Sequence, residues 1–448
     1  MQPARSVADR LLVVQHPGLG RKQTGGAIVY IRIAPVAWVV ATASALTTLG
    51  TIPVFLFGAQ AVFIRSDLDF DELRFGIAVS TFFASAAAAA LLGGGLLDRL
   101  GQRNSTVTAG ALAAAGGFGM AWATYSWPAI LVLMIVLGTA NAACQVTSNL
   151  TLARAVPPHR RGVGFGVKQA AIPLAIVIAG LAVPMVGAVV GWRWTFTLTG
   201  LAGVGVAAAG LRLPRGSSAS ADQSAGHDRP PMSALLAIMA AVMVASAAAN
   251  SLGSFVGLWG FEVGLTPSQA GLLMATGSAL NIMVRIGSGH RADLRYGRNL
   301  PVVAAQMLVG ATSLAALSIS SPWTIVPAAL LAFGLGWAWP GLLLYAVVRV
   351  GRDSPGLASG VVQAGAFVGG AAGPAVFGLV VGSLGYATAW RMAAFLFLAA
   401  AILVLVARKL FIADLVARPP QTPLGYGGGR DAPARTTPTG EGPSHEAL

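Results

Sequence analysis

Two long stretches of the chain contain no charged residue. One spans the 50 residues between Arg103 and Arg154, and another of the same length separates Arg298 from Arg349. Each stretch is too long for one bilayer crossing, which needs about 20 apolar residues, and long enough for two. A Ser-Trp-Pro and a Ser-Ser-Pro sequence interrupt them near the middle. Because the stretches begin 195 positions apart, the chain is predicted to be a duplicated membrane bundle.

Composition supports a membrane protein. Hydrophobic residues make up 55% of the chain and charged residues 10%, whereas soluble domains contain about 25% charged residues. The alternation of apolar and polar residues typical of barrel strands is missing. The backbone N–H and C=O groups inside the hydrocarbon must therefore be hydrogen-bonded within helices. We therefore predict an all-α integral membrane fold with twelve transmembrane helices. They cover residues 33–62, 75–97, 104–125, 129–153, 163–190, 194–213, 233–259, 266–289, 299–319, 323–348, 357–383 and 388–410.

The basic residues fall on one side of this topology. With both termini inside, 23 of the 29 Lys and Arg residues lie in cytoplasmic segments, as the positive-inside rule requires. A net charge of +14 therefore indicates orientation in a membrane, and we expect no nucleic-acid partner. The basic leader lacks the long apolar region of a cleavable signal peptide. We predict a multi-pass protein of the plasma membrane with cytoplasmic N- and C-termini.

The two halves also match in sequence. GVKQA at 166–170 corresponds to GVVQA at 360–364, and Asp98 corresponds to Asp293. This repeat sets the predicted organisation, in which two pseudo-symmetric six-helix bundles flank a polar connector. The predicted segments are a basic leader (1–32), a first bundle (33–213), a cytoplasmic connector (214–232), a second bundle (233–411) and a disordered tail (412–448).

A short motif then suggests a family. The loop predicted between helices 2 and 3 reads GGLLDRLGQR at 94–103, and the loop between helices 8 and 9 reads GHRADLRYGR at 289–298. The first resembles the signature of the major facilitator superfamily, which is Gly, three residues, Asp, Arg, one residue, Gly, one residue, Arg. The second resembles its degenerate copy, with one extra residue between Asp293 and Gly297. The resemblance covers roughly residues 33–410 and implies a secondary transporter with two six-helix halves.

The motif residues are predicted to act in gating. In the family, such loops join the halves on the cytoplasmic side, so Asp98 is expected to face the start of helix 11. The alternative is that these charges only set topology and turn geometry. Gly101 is suited to a tight turn, and Gly94 to close helix packing. The predicted gating residues are Gly94, Asp98, Arg99, Gly101, Arg103, Arg154, Asp293, Arg295, Gly297 and Arg349.

No acidic residue falls at the middle of a predicted helix, whereas two basic residues lie within helices, Lys168 and Arg285. If both face the cavity, they favour an anionic substrate, because arginine can bind a carboxylate through two hydrogen bonds. Alternatively, Lys168 extends to the surface and Arg285 pairs with a neighbouring carbonyl. Lys168 is also a candidate proton carrier, in place of the missing carboxylate.

Polar and aromatic side chains in otherwise apolar helices complete the predicted substrate site. Amides are costly to expose to lipid, so they are expected to face inward, although several serve as contacts between helices. The predicted substrate-binding residues are Thr48, Asn141, Gln145, Lys168, Gln169, Asn250, Asn281, Arg285, Trp337, Trp339 and Gln363. Trp192, Trp194 and Trp390 are instead predicted to anchor helices at the membrane boundary.

These observations favour a secondary transporter that moves a small organic solute, anionic or amphiphilic, by alternating access. We expect a small-molecule substrate, a co-transported proton as an option, a monomer, and neither a cofactor nor a metal. Proton-driven efflux of amphiphilic drugs is the main alternative, although helix 5, QAAIPLAIVIAG at 169–180, lacks the Gly-x-x-x-Gly-Pro pattern of antiporter branches. A membrane sensor is a remote alternative. An enzyme is disfavoured, because the helices supply no converging nucleophile, base or metal ligands.

Overall fold

The computed structural model describes residues 36–155, 167–213, 230–294, 298–350 and 355–419. Throughout these ranges the regular elements are helices. The first half contains α1 (Val36–Ala59), α2 (72–100), α3 (102–122), α4 (Trp127–Ala155), α5 (Val167–Val190) and α6 (Trp192–Leu211), with a short helix, Ala61–Leu68, after α1. The second half contains α7 (Met232–Glu262), α8 (Pro267–Leu294), α9 (Asn299–Leu317), α10 (Pro322–Val350), α11 (355–384) and α12 (386–417).

Single glycines mark the sharpest turns. Gly101 has φ 74° between α2 and α3, and Gly385 has φ 79° between α11 and α12. Only glycine adopts such angles without steric cost, so the predicted turn at Gly101 is confirmed. Gly191, with φ 99° between α5 and α6, lies 194 positions before Gly385, the same offset as between GVKQA and GVVQA. We call the two ends of the bundle the Gly101 end and the Gly385 end.

The helices have the length and composition of bilayer crossings. Ten helical segments of the described chain are long and apolar enough to cross a membrane. One of them, Leu357–Ala417, has 61 residues, or about 90 Å of helix, and turns at Gly385 to form two crossings. The segment 102–122, richer in Gly and Ala, completes twelve. The all-α fold with twelve transmembrane helices in two six-helix bundles is confirmed, and the chain is a multi-pass membrane protein.

Three details differ from the sequence-based prediction. The first helix breaks at Gln60, before the short helix that follows. The last helix continues to Ala417, six residues past the predicted boundary at 411, and an Asp414–Arg418 ion pair one turn apart stabilises its end. Trp192 and Trp390 are 3% and 0% exposed; they pack inside the protein and do not anchor it in lipid. Trp194 is 46% exposed, as an anchor should be.

The two halves pack closely on the Gly385 side of the bundle. Phe75 of α2 meets Phe255 of α7 edge to face, with ring centroids 5.0 Å apart. The backbone N–H of Ala375 on α11 donates a 2.9 Å hydrogen bond to the hydroxyl of Ser80 on α2. Gly58 of α1 lies against the backbone of Ser254 on α7. These contacts close the path between the halves towards the Gly385 end.

Candidate functional site

A narrow cleft lies between the halves, where α5 faces α8 and α10. Its side chains pack so closely that no space for a water molecule remains between them. A solute the size of a sugar therefore needs the surrounding helices to move apart. The residues that line the cleft are Ile172, Pro173 and Ile176 from α5, Ser278, Asn281 and Arg285 from α8, and Phe333 and Trp337 from α10.

Arg285 supplies the positive charge of the cleft. Its Nη1 donates a 2.8 Å hydrogen bond to the carbonyl of Gln169 on α5, and its Nη2 donates a 2.9 Å hydrogen bond to the carbonyl of Trp337 on α10. The predicted alternative of pairing with a carbonyl is therefore what this conformation shows. The third donor group, Nε–H, is buried and has no hydrogen-bond partner. A guanidinium with a spare donor faces the cleft.

α10 is irregular where it borders the cleft. A π-helical turn, Ala332–Gly336, is followed by a break at Trp337 and Ala338, after which the helix resumes at Trp339. Such a turn leaves carbonyl groups without their usual helical donors. The amide of Asn281 donates to two of these carbonyls, those of Phe333 and Gly334. Asn281 and Arg285, four residues apart on α8, thus both donate hydrogen bonds to carbonyls of the irregular segment. The prediction that they share one face of the helix is confirmed.

Further polar atoms in the cleft are buried without partners. They are the hydroxyl of Ser278 and the side-chain oxygen of Asn281. Ser278 is 0% exposed and Asn281 is 2% exposed, so water does not cover them freely. Buried polar groups are normally hydrogen-bonded. With the spare donor of Arg285, the cleft therefore offers unpaired donors and an unpaired acceptor to a polar ligand.

Aromatic rings form the remaining wall. Trp337 contacts Phe333 of the same helix, with centroids 6.0 Å apart, and Phe55 of α1, with centroids 5.9 Å apart. The ring of Trp337 also lies against Gly253 of α7. Trp337 therefore packs against two other helices, α1 and α7, and the cleft combines the charge of Arg285 with an apolar aromatic surface.

Lys168 is separate from this cleft. It is 4% exposed, and its Nζ donates a 2.5 Å hydrogen bond to the side-chain oxygen of Asn149 on α4. It is buried at this contact, and it is absent from the residues that line the cleft. In this conformation the two cations do not share one cavity, because Lys168 contacts Asn149 and Arg285 contacts the carbonyls of Gln169 and Trp337.

The other predicted substrate residues occupy varied surroundings. Gln169 contributes its backbone carbonyl to the site. The Thr48 hydroxyl bonds to the Ala171 carbonyl at 3.4 Å, and the Asn250 amide bonds to the Ser246 carbonyl at 2.9 Å. Asn141 and Trp339 are buried, and each has a polar atom without a partner. Gln145 is half-buried and Gln363 is exposed. Asn141, Asn250, Gln145, Trp339 and Gln363 do not line the cleft.

Only part of the predicted gating set can be described. Arg99 is exposed, Arg103 is half-buried, and the guanidinium of Arg349 lies 5.8 Å from the ring centre of Tyr345. Arg295 and Gly297 lie outside the described residues, as do the side chains of Asp98, Arg154 and Asp293 and the surroundings of Gly94. The gating role therefore stays a prediction.

An ion cluster at the Gly385 end was missed by the sequence analysis. One carboxylate oxygen of Asp67 accepts hydrogen bonds from the indole of Trp192 and the guanidinium of Arg193, each at 2.8 Å. The bond from Trp192, followed by the bond and charge of Arg193, outweighs partial burial and holds the pKa of Asp67 below its ordinary value of 3.8. Arg193 also lies 4.4 Å over the ring of Trp192. The cluster ties the short helix to the start of α6.

Comparison with known proteins identifies the family. A family model described as Major Facilitator Superfamily matches residues 37–354 and 234–438. The chain belongs to the Major Facilitator Superfamily. Its members are transporters, so the expectation that the chain is a transporter and no enzyme is confirmed at the level of the family.

Relatives within the superfamily differ in what their names say. A chloramphenicol resistance protein of Streptomyces lividans is 27% identical and covers 76% of this chain and 88% of its own length. A hexuronate transporter of Bacillus subtilis is 28% identical over 32% of this chain and 34% of its own length. A solved D-xylose-proton symporter has a TM-score of 0.66, 18% identity, and covers 82% of this chain and 96% of that chain. This last likeness concerns the fold alone.

Proposed function

We propose that this member of the superfamily transports a small organic anion, and that the cleft between α5, α8 and α10 is its binding site. The observation that carries the proposal is Arg285, a cation in the cleft whose Nε–H has no partner and which has no carboxylate among the residues that line the cleft. A carboxylate substrate supplies the missing counter-charge, and a guanidinium binds it through paired hydrogen bonds.

The neutral polar groups extend this recognition. The unpaired oxygen of Asn281 accepts a hydrogen bond from a substrate hydroxyl, and the hydroxyl of Ser278 accepts or donates one. The ring of Trp337 offers an apolar face at the same place. A hydroxylated carboxylate, such as a sugar acid, fits this set, and the hexuronate transporter of Bacillus subtilis is a relative whose name agrees with it.

Transport proceeds by alternating access, with the halves moving about the cleft. We infer from the placement of the basic residues that the Gly101 end and both termini are cytoplasmic, in the plasma membrane. The protein is a monomer embedded in the lipid bilayer. Its substrate is a small molecule, and a proton is the candidate coupling ion. The loops that carry Asp98 and Asp293 gate the cytoplasmic side.

A thermal-shift experiment on the purified protein tests the substrate class. The ligands are hexuronates, short carboxylates, nitrate, neutral hexoses and lipophilic cations, because a ligand that binds the folded state raises its melting temperature. The variant is Arg285→Gln, and Lys168→Gln is the matched control, since Lys168 is also a cation inside the protein and does not line the cleft. We expect stabilisation by a carboxylate that Arg285→Gln loses and Lys168→Gln keeps.

Efflux of amphiphilic drugs is the second candidate, favoured by the chloramphenicol resistance relative and its coverage of 88% of that protein. It predicts stabilisation by lipophilic compounds that persists in both variants, together with greater drug sensitivity of cells that lack the protein. That outcome, with no response to carboxylates, overturns the anion proposal.

A further inference from the structure

Arg285 joins the two halves of the transporter. It projects from α8 of the second half, and one of its hydrogen bonds ends on the Trp337 carbonyl of the same half. The other ends on the Gln169 carbonyl of α5, in the first half. The side chain that supplies the charge of the cleft therefore also holds the cleft together.

The Gln169 carbonyl is available because of Pro173. In a regular helix this carbonyl would accept the N–H of the residue four positions later, and that residue is a proline, which has no N–H. The N–H of Ala170 bonds to the Val167 carbonyl, three residues back, so the backbone tightens just before the proline. Gln169 is half-buried, and its carbonyl would lack a donor from the protein if Arg285 did not supply one.

The Trp337 carbonyl is available because α10 is broken. It lies between the π-helical turn, Ala332–Gly336, and the helix that resumes at Trp339. Both acceptors of Arg285 are thus neutral carbonyls that their own helices leave free. Hydrogen bonds from a guanidinium to a carboxylate are shorter and stronger than bonds to a neutral carbonyl, so an anion competes well for the guanidinium.

We propose that Arg285 is a releasable tie between α5 and α8, and that the anionic group of the substrate releases it by taking over the guanidinium. This inference rests on the anion transport proposed above. The substrate first meets the unpaired Nε–H, and its second oxygen then displaces a carbonyl. The freed carbonyl of Gln169 needs a new donor, which water supplies once α5 and α8 separate. Substrate binding thereby favours the separated state of the halves.

The tie is tested by the distance between spin labels on α5 and α8. Labels are attached at Val167→Cys and His290→Cys, two exposed positions, in full-length Cys144→Ala protein in lipid nanodiscs. Pro173→Ala returns an N–H to the Gln169 carbonyl and leaves the charge of Arg285 in place. Pro327→Ala, which removes a proline from α10 away from the cleft, is the matched control.

Without ligand, we expect Pro173→Ala to raise the ratio of separated to close molecules by about tenfold or more, the factor that a hydrogen bond to a charged group is worth. Pro327→Ala should leave the ratio as in the unsubstituted protein. Arg285→Gln should act as Pro173→Ala does. Unchanged distances in Pro173→Ala overturn the tie, whether or not Arg285→Gln folds.

The release is tested with a matched pair of ligands, D-glucuronate and D-glucose, and with any other carboxylate that raises the melting temperature. A carboxylate that binds should lengthen the distance as Pro173→Ala does, and D-glucose should not. A carboxylate that binds without changing the distance refutes release. If no carboxylate binds, the proposed function fails, and the ligand-free variants still decide whether Arg285 ties the halves.

Discussion

Closure at the Gly385 end depends on two glycines that face each other across the halves. Gly180 of α5 and Gly271 of α8 lie so close that a Cβ atom on Gly271 would be 2.6 Å from the Gly180 carbonyl oxygen and 2.7 Å from Cβ of Val183. Ordinary contacts begin near 3.4 Å, so Gly271→Ala requires α5 and α8 to separate by about 0.8 Å. Close packing of this kind cannot absorb such a shift without cost.

Overpacking by one methyl group costs about 1–3 kcal/mol. Because the strain is present only while α5 and α8 are in contact, the ratio of open to closed molecules at this end should rise about 5- to 150-fold. A cysteine introduced as Ser254→Cys reports the opening of this end. Ser254 is 1% exposed and lies against Gly58 of the other half, so a reagent reaches position 254 only when the halves separate. A small thiol reagent should modify this cysteine faster by the same factor.

Gly287→Ala is the matched control. It lies on the same helix, gains the same helix propensity, and has no atom within 4 Å of the added Cβ. It should leave the rate of modification at Ser254→Cys unchanged. If Gly271→Ala also leaves the rate unchanged while the protein melts normally, the inference that these glycines hold the Gly385 end closed is refuted.

Three further predictions concern stability. The pKa of Asp67 is lowered on folding, so its ionised form stabilises the protein above pH 4. This contribution is lost as the pH falls through the lowered pKa. Melting temperatures measured between pH 3 and 7 should show that Asp67→Asn is less stable than the unsubstituted protein at neutral pH, and that this difference shrinks below pH 4. Gly385→Ala forces φ 79° on alanine and should cost about 1–2 kcal/mol in unfolding experiments, whereas Gly382→Ala should not. Ser80→Ala removes the hydroxyl that accepts a hydrogen bond from the half-buried N–H of Ala375 and should cost about 0.5–1.5 kcal/mol, more than Ser383→Ala at an exposed position.

Much of the fold is predictable because lipid imposes few options. The charge-free stretches, the turn signals and the internal repeat were enough to predict the twelve helices and the turn at Gly101. Helix ends near the surface were less predictable, since local contacts such as the Asp414–Arg418 pair stabilise the continuation to Ala417. The burial of Trp192 could not be read from its position near a helix start, because its partner, Asp67, is distant in sequence.

The candidate site was predicted in part. Asn281 and Arg285 were found because polar groups four residues apart share a helix face. Gln169 was chosen for its side chain, whereas its backbone carbonyl carries the contact; the signal was present, as Pro173 stands four residues later. The partner of Lys168 was not predictable, since the rotation of α5 about its own axis is set by packing that one sequence does not reveal.

The absence of a carboxylate beside Arg285 among the cleft residues leads to a last prediction. A cation held by neutral carbonyls keeps most of its charge available to a ligand, whereas a resident carboxylate would neutralise it. Asn281→Asp places a carboxylate four residues away on the same helix face, and Asn281→Leu is the control, because both variants lose the donor to the Phe333 carbonyl. Binding of a carboxylate should weaken at least tenfold more in Asn281→Asp than in Asn281→Leu, as measured by its effect on melting temperature. Equal binding by the two variants would show that the charge of Arg285 does not select the substrate.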